Sequence, residues 1–312
     1  MSEQEHLWER RVITKLAQAS LNEQKRARRW SIFFKFLVFA YITFVLFMFL
    51  EPDMSKAQMA EKHSALVELQ GIIADDETAS ADNIISALRS AFEDAKTKGI
   101  ILRINSPGGT PVQAGYIYDE IVRLRGQYPE TPLYAVVSDM AASGGYYVAS
   151  AADEIYASKS SIVGSIGVRM DSFGVVEAMK KLGIESRLLT AGENKALMDP
   201  FSPVDEDARK HLQSMIDEIH QQFIDAVKEG RGERLQESDD LFTGLIWTGV
   251  EALEYGLIDK IGSASFVARE VIGAEEIVEY SVEEDVLERL VDRLGASTAK
   301  TLSKAYLTPQ LH

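Results

Sequence analysis

The 312-residue sequence predicts an α/β fold with a largely parallel sheet, and three observations carry that expectation. Short apolar runs at 100–104, 133–138 and 155–157 alternate with segments of helical period. Two turns rich in glycine and serine, 105–111 and 139–145, each follow such a run directly. A long amphipathic stretch, 205–229, places Leu212, Met215, Ile216, Ile219, Phe223 and Val227 at helical spacing. With 46% hydrophobic and 26% charged residues, the chain has the apolar content to bury a core.

The N-terminal region stands apart from this pattern. Residues 1–31 form a basic head. Up to Lys35, eight basic residues (Arg10, Arg11, Lys15, Lys25, Arg26, Arg28, Arg29, Lys35) face four acidic ones (Glu3, Glu5, Glu9, Glu23), although the whole chain carries a formal charge of −15. The run 36–50 has no charge, and adding 32–35 gives nineteen positions, long enough to cross a bilayer core with Lys35 reaching back to the headgroups. No clear A-x-A site follows Leu50, so residues 32–50 read as an uncleaved transmembrane helix rather than a signal peptide. Lys and Arg are denser before the span than after it. The N-terminus is therefore expected in the cytoplasm and the body outside it, a single-pass inner-membrane protein with a periplasmic domain. Residues 51–63 read as a linker, 64–295 as the folded domain and 296–312 as a tail without periodicity.

Within the domain, alternation around Leu66, Leu69 and Ile72 predicts a strand over 64–73. Ile84, Ile85, Leu88 and Phe92 predict a helix over 80–98, with Gly99 as its stop. The run 100–104 has the continuous apolar character of a parallel strand buried on both faces. A helix over 112–126 and a strand over 133–138 follow. Next come a small-residue helix after 145, a strand at 155–157, a helix over 175–182, a strand over 184–189 and the long helix of 205–229. In parallel sheets, sites form beyond the carboxyl ends of strands, where both unusual turns lie.

Composition excludes several chemistries. The absence of cysteine removes disulfides and thiolate catalysis. None of the five histidines, His6, His63, His211, His220 and His312, has H-x-x-x-H spacing; His211 and His220 read as solvated residues on the polar side of a helix, and no metal is expected. No phosphate-binding glycine motif is present, and a pI near 4.9 argues against nucleic acid as a partner.

What remains is nucleophilic. Ser143 lies in Ala141-Ala142-Ser143-Gly144-Gly145, just after a strand, where small neighbours let a substrate backbone approach the hydroxyl. The Gly144 N–H and the turn containing Gly108 and Gly109 offer donors for the charge that develops in acyl transfer. A serine hydroxyl needs a base, and lysine serves when burial favours its neutral form. Lys195, in Gly192-Glu193-Asn194-Lys195, is the candidate, although taken alone it reads as a solvated loop lysine.

These motifs resemble the signal peptide peptidase A family, in its short single-unit form of membrane-anchored bacterial Ser-Lys peptidases. The carriers are NSPGG at 105–109, SDMAASGGYYVASAAD at 138–153, VGSIGV at 163–168, GENK at 192–195 and GLIDKIG at 256–262, within a match over about 64–270. Thr110 stands where some relatives carry a third glycine. The resemblance implies a ClpP/crotonase-like twisted spiral of strand-helix units. It implies Ser143 as nucleophile and Lys195 as general base, with Ser165 orienting the lysine. Gly108 or Gly109 would complete the oxyanion hole with Gly144. It further implies a homo-oligomeric ring in which the lysine facing a serine comes either from the same subunit or from a neighbouring one, remnant signal peptides as substrates, an apolar S1 pocket and no cofactor. Two other readings compete: a crotonase-type acyl-CoA enzyme, which the anchor and the Ser143/Lys195 pair disfavour, and a non-catalytic membrane scaffold.

Overall fold

The computed structural model describes residues 3–49, 62–236 and 238–281, with the side chains of the first stretch described at 14–16 and 18–44. The expected tail, 296–312, and most of the expected linker lie outside the described residues. The chain divides into two units, Met1–Met59 and Ala60–His312.

In the first unit a single helix, α1 (Glu3–Phe49), runs through the basic head and into the apolar stretch without a break. Its Trp30, Phe33, Phe34, Phe36 and Phe39 side chains are exposed. Among the described residues no helix is long and apolar enough to cross a membrane; the side chains from 45 to 50, at the end of the expected span, lie outside them.

The second unit is built on one mixed sheet. Its strands are β1 (His63–Gln70), β2 (Thr97–Ser106), β3 (Leu133–Ala142), β4 (Glu154–Ala157), β5 (Ile162–Gly164), β6 (Ile246–Thr248), β7 (Lys260–Ile261) and β8 (Ile277–Glu279). The order is β6-β5-β3-β2-β1-β8, with β4 pairing β3 and β7. Among these pairings only β5–β6 is antiparallel. The expectation of a largely parallel α/β sheet therefore stands.

Side-chain alternation sorts the central strands between two layers. Ala65, Val67 and Leu69 of β1, Ile100, Leu102 and Ile104 of β2, and Leu133, Ala135 and Val137 of β3 face the main core. There they meet α2 (Ala81–Glu93), α3 (Pro111–Gln127), α4 (Gly144–Ala149) and the C-terminal half of α6 (Glu206–Arg231). Leu66, Ile101 and Val136 point the other way, onto Tyr156, Ala264, Val267 and Ala268. Both faces of the sheet are thus covered, which is why these strands are apolar at nearly every position.

Three expectations need correction. The second helix ends at Glu93 rather than Lys98, because Asp94 turns the chain: its carboxylate accepts from the Lys96 N–H at 2.8 Å and its carbonyl from the Thr97 N–H at 3.0 Å. β2 accordingly starts at Thr97, and Gly99 is no helix stop but makes room for Ile272, whose Cγ1 would lie 3.0 Å from a Cβ there. β3 runs on to Ala142, so the turn shrinks to a single residue, Ser143. The strand expected over 184–189 does not form. Ile184, Leu188 and Leu189 are exposed and no neighbouring strand offers a ladder, so an apolar run there builds no sheet.

Candidate active site

Ser143 is the joint between β3 and α4, and its backbone is unusual. At φ 52°, ψ −123° it lies outside the regions open to ordinary L-residues, at a cost of about 1–3 kcal/mol. The surroundings impose this. The Ser143 N–H donates to the Gly164 carbonyl at 2.8 Å, and the Ser143 carbonyl accepts from the Tyr146 and Tyr147 N–H groups, both at 2.9 Å. Pinned on both sides, the residue lines two cavities.

The second turn is tied to the sheet at Ile73. The Ile73 N–H donates to the Gly108 carbonyl at 3.0 Å, and the Thr110 N–H donates to the Ile73 carbonyl at 2.8 Å, a parallel bridge centred on Gly109. A Cβ on Gly109 would stand 2.0 Å from the Ile73 oxygen, so only glycine fits. The Gly108 N–H is taken by the Ser106 hydroxyl oxygen at 3.1 Å, and that hydroxyl donates to the Gly71 carbonyl at 2.6 Å. The bridge leaves the Gly109 N–H on the side away from Ile73, and among the described residues nothing accepts from it or from the Gly144 N–H. The two amides are neighbours: a Cβ built on Gly144 would lie 3.2 Å from the Gly109 nitrogen.

The third wall is the chain after β5. Ser165 has φ 55°, and its N–H donates to the Leu245 carbonyl at 2.7 Å. Ser165, Gly167, Val168 and Arg169 line a groove of about 680 Å³ with Ser143, Gly108 and Gly109. A smaller cavity of about 50 Å³ opens from the same serine and is closed by Tyr147 and by Ile219, Gln222 and Phe223 of α6. Burial raises the Tyr147 phenol above its ordinary pKa, so it presents a neutral hydroxyl.

Both ends of α6 are fixed. The Asp205 carboxylate accepts from the Asp207 and Ala208 N–H groups, each at 2.9 Å. At the other end the buried Arg231 guanidinium donates to the Gly256 carbonyl and to Asp259, both at 2.8 Å. Burial pushes the Asp259 carboxyl up in pKa, but Arg231 and the Ile155 N–H more than offset this and hold it below its usual range. Midway, His220 is not the solvated residue expected: it is half-buried, with Nε2 3.2 Å from the Ile166 carbonyl, and links α6 to the third wall. The sequence hides Ile219 and Phe223 as site residues because their spacing reads as an ordinary core-facing stripe, and His220 because it falls on the polar side of the same helix.

Ser143, Ser165, Gly108, Gly109 and Gly144 thus gather at one place. Lys195 does not join them within the chain. It is exposed and lines neither cavity around Ser143. The stretch around it includes α5 (Val176–Leu182), which buries none of its residues, and exposes Phe173, Leu182, Val204 and Leu189, the last at 96%. Among the described residues no three His, Cys, Asp or Glu side chains gather as a metal site.

The family description "Peptidase family S49" matches residues 127–277, which hold Ser143, Ser165 and Lys195. A putative protease of Synechocystis is 30% identical over 202 residues, 65% of this chain and 70% of that one. The chain belongs to peptidase family S49. A putative signal peptide peptidase SppA of Enterococcus faecium is 29% identical over 211 residues, 65% of this S49 chain and 61% of its own. The protein named Na(+)/H(+) antiporter NhaA of Brucella melitensis is 45% identical over 196 residues, 63% of this chain but only 26% of that one. A second description, "Clp protease", matches residues 55–162 and agrees with the mixed α/β sheet. The family is of the SppA type that the motifs indicated.

Proposed function

We propose that this S49 chain is a membrane-anchored serine endopeptidase of the Ser-Lys type that degrades remnant signal peptides at the outer face of the inner membrane. The observation that carries the reading is the backbone of Ser143, held at φ 52° beside two unengaged amides. Strain of this kind persists where the surroundings over-determine it, and here it sets the hydroxyl beside a ready oxyanion site.

In this reading neutral Lys195 removes the Ser143 proton as the oxygen attacks a peptide carbonyl. The oxyanion rests on the Gly144 and Gly109 N–H groups; Gly109 rather than Gly108 is the second donor, since the Gly108 amide already serves Ser106. The protonated lysine gives its proton to the leaving amine. Lys195 then activates a water that hydrolyses the ester and returns the hydroxyl to Ser143. Ser165 orients the lysine amine. The exposure of Lys195 and its apolar surroundings support a homo-oligomeric ring, in which a neighbouring copy supplies the base to each Ser143. The basic head and the apolar run of 32–50 support a single anchor with its N-terminus in the cytoplasm, and tethering at the bilayer suits apolar peptide substrates.

The test is covalent trapping of the full chain in detergent by an acylating peptide inhibitor. Mass spectrometry is expected to find the adduct on Ser143, and Ser143→Ala is expected to lose both labelling and turnover. An adduct on another residue, or a Ser143→Ala variant as active as the parent, would overturn the assignment.

A further inference from the structure

We infer that the Ser106 hydroxyl is a positioning group for the oxyanion site: it holds the peptide unit before Gly108 so that the Gly109 N–H, and not its neighbour, faces the reacting carbonyl. This rests on the peptidase reading above and adds to it the group that keeps one of the two donors in place. Ser106 ends β2 opposite Ala141 of β3 and is fully buried. It lines neither cavity at Ser143, so it acts on a substrate only through the turn. Its hydroxyl is engaged by two backbone groups. It donates to the Gly71 carbonyl at 2.6 Å and accepts from the Gly108 N–H at 3.1 Å, a side-chain turn that closes across Pro107.

The turn needs such a hold because its own torsions are soft. Gly108 has φ 100°, and with glycine at both 108 and 109 the peptide units on either side of Gly108 rotate at little steric cost. Each unit has its own anchor. The unit between Gly108 and Gly109 is held at its carbonyl, which accepts from the Ile73 N–H at 3.0 Å, and its N–H, that of Gly109, points the opposite way. The unit between Pro107 and Gly108 is held at its N–H by Ser106. Both anchors refer the turn to the short stretch just past β1, where the Gly71 N–H donates to the Asn105 carbonyl at 3.0 Å and ties that stretch to β2. Space around Gly108 is tight: a Cβ there would lie 2.7 Å from the Gly144 nitrogen and 2.8 Å from the Ser143 Cβ. A rotation at Gly108 therefore reaches both the nucleophile and the second donor. Without the hydroxyl, the Gly108 N–H is left in the interior without its acceptor, a cost the turn relieves by rotating, and the rotation carries the Gly109 amide off line.

The experiment compares the parent with Ser106→Ala, each as the full chain in detergent, on a fluorogenic peptide and on two reversible inhibitors of the same sequence, a peptide aldehyde and the matching peptide alcohol. The Ser143 oxygen adds to the aldehyde carbon, the carbonyl electron pair moves onto the oxygen that rests on the two amides, and the serine proton passes to Lys195. The alcohol has no carbonyl and reports binding of the peptide alone. Ser106→Ala is expected to lower kcat by about 10- to 100-fold with KM within about twofold, because a displaced donor is missed only when the oxyanion forms. The Ki of the aldehyde is expected to rise by the same factor, and that of the alcohol to stay as it is. These constants refer to folded enzyme, so a role in stability alone would not move them. Should Ser106→Ala fail to fold, Ser106→Cys keeps the bulk and puts a weak donor and acceptor into a chain that has no other cysteine; the same split is expected at about 10-fold. An unchanged kcat, or a Ki that rises equally for aldehyde and alcohol, would overturn the role of Ser106 and leave the peptidase reading intact. A parent that neither cleaves the peptide nor binds the aldehyde, with Ser143 unlabelled by the acylating inhibitor, would overturn both.

Discussion

Ser143 and Lys195 sit in regions built on contrasting lines. The serine lies between a strand buried on both faces and a helix in the core, with its N–H and its carbonyl both engaged. The lysine lies on a stretch whose helix buries nothing and whose leucines and phenylalanine face outward. One chain therefore surrounds Ser143 and the Gly109 and Gly144 amides, but it leaves Lys195, the base we propose, and its apolar surroundings without cover. Exposed apolar side chains in such number are what supports the ring proposed above. The desolvated amine that the proposed chemistry needs would then arise only in the assembled ring.

The contrast breaks most sharply in a mixing experiment. Ser143→Ala and Lys195→Ala are each expected to lose about 10⁴-fold or more in kcat. If the base comes from a neighbour, coexpressing the two dead variants rebuilds sites that pair an intact serine with an intact lysine, and about a quarter of parental activity returns under random pairing. Activity that stays at the level of either variant would place both groups in one chain. The next effect is smaller and tests the self-sufficient half. Gly109→Ala puts a methyl group against the Ile73 carbonyl and shifts one oxyanion donor, with an expected loss of about 10²–10³ in kcat and little change in KM. An unchanged kcat would remove Gly109 from the oxyanion site.

The smallest effect concerns the stability of the body that carries Ser143. Arg123, with Arg89, holds the Glu120 carboxyl down at about 2, against 4.5 ordinarily. A depressed carboxyl contributes stability that is fully present above the ordinary value and is lost as pH falls through the depressed one. Glu120→Gln is therefore expected to lower Tm by a constant amount above about pH 5, with the difference shrinking toward about pH 2. A Tm difference that does not vary with pH would show that the carboxylate charge contributes nothing.

The central strands β2 and β3 were legible because a continuous apolar run is the signature of a parallel strand covered on both faces, whereas the two- and three-residue strands β5 to β8 are too short to leave one. The place of the Ser143 turn was legible because glycine and serine directly after an apolar run mark the carboxyl end of a strand. Three things were not. The end of the second helix depended on an Asp94 turn, which competes locally with helical hydrogen bonds. The apolar residues at 184–189 look like a strand in any window, since sequence cannot say whether a pairing edge is at hand. The α6 wall was hidden because Ile219 and Phe223 share one stripe with true core residues, and only the fold shows that part of the stripe ends at a cavity.

The Ile73–Gly109 bridge bears on pharmacology. An inhibitor that sets an oxygen against the Gly109 and Gly144 amides would lean on a surface with no room for mutation at residue 109, because any side chain there collides with the Ile73 carbonyl. Resistance would then have to come from elsewhere, and Ile219 and Gln222 are the positions where a population under drug pressure should first diverge.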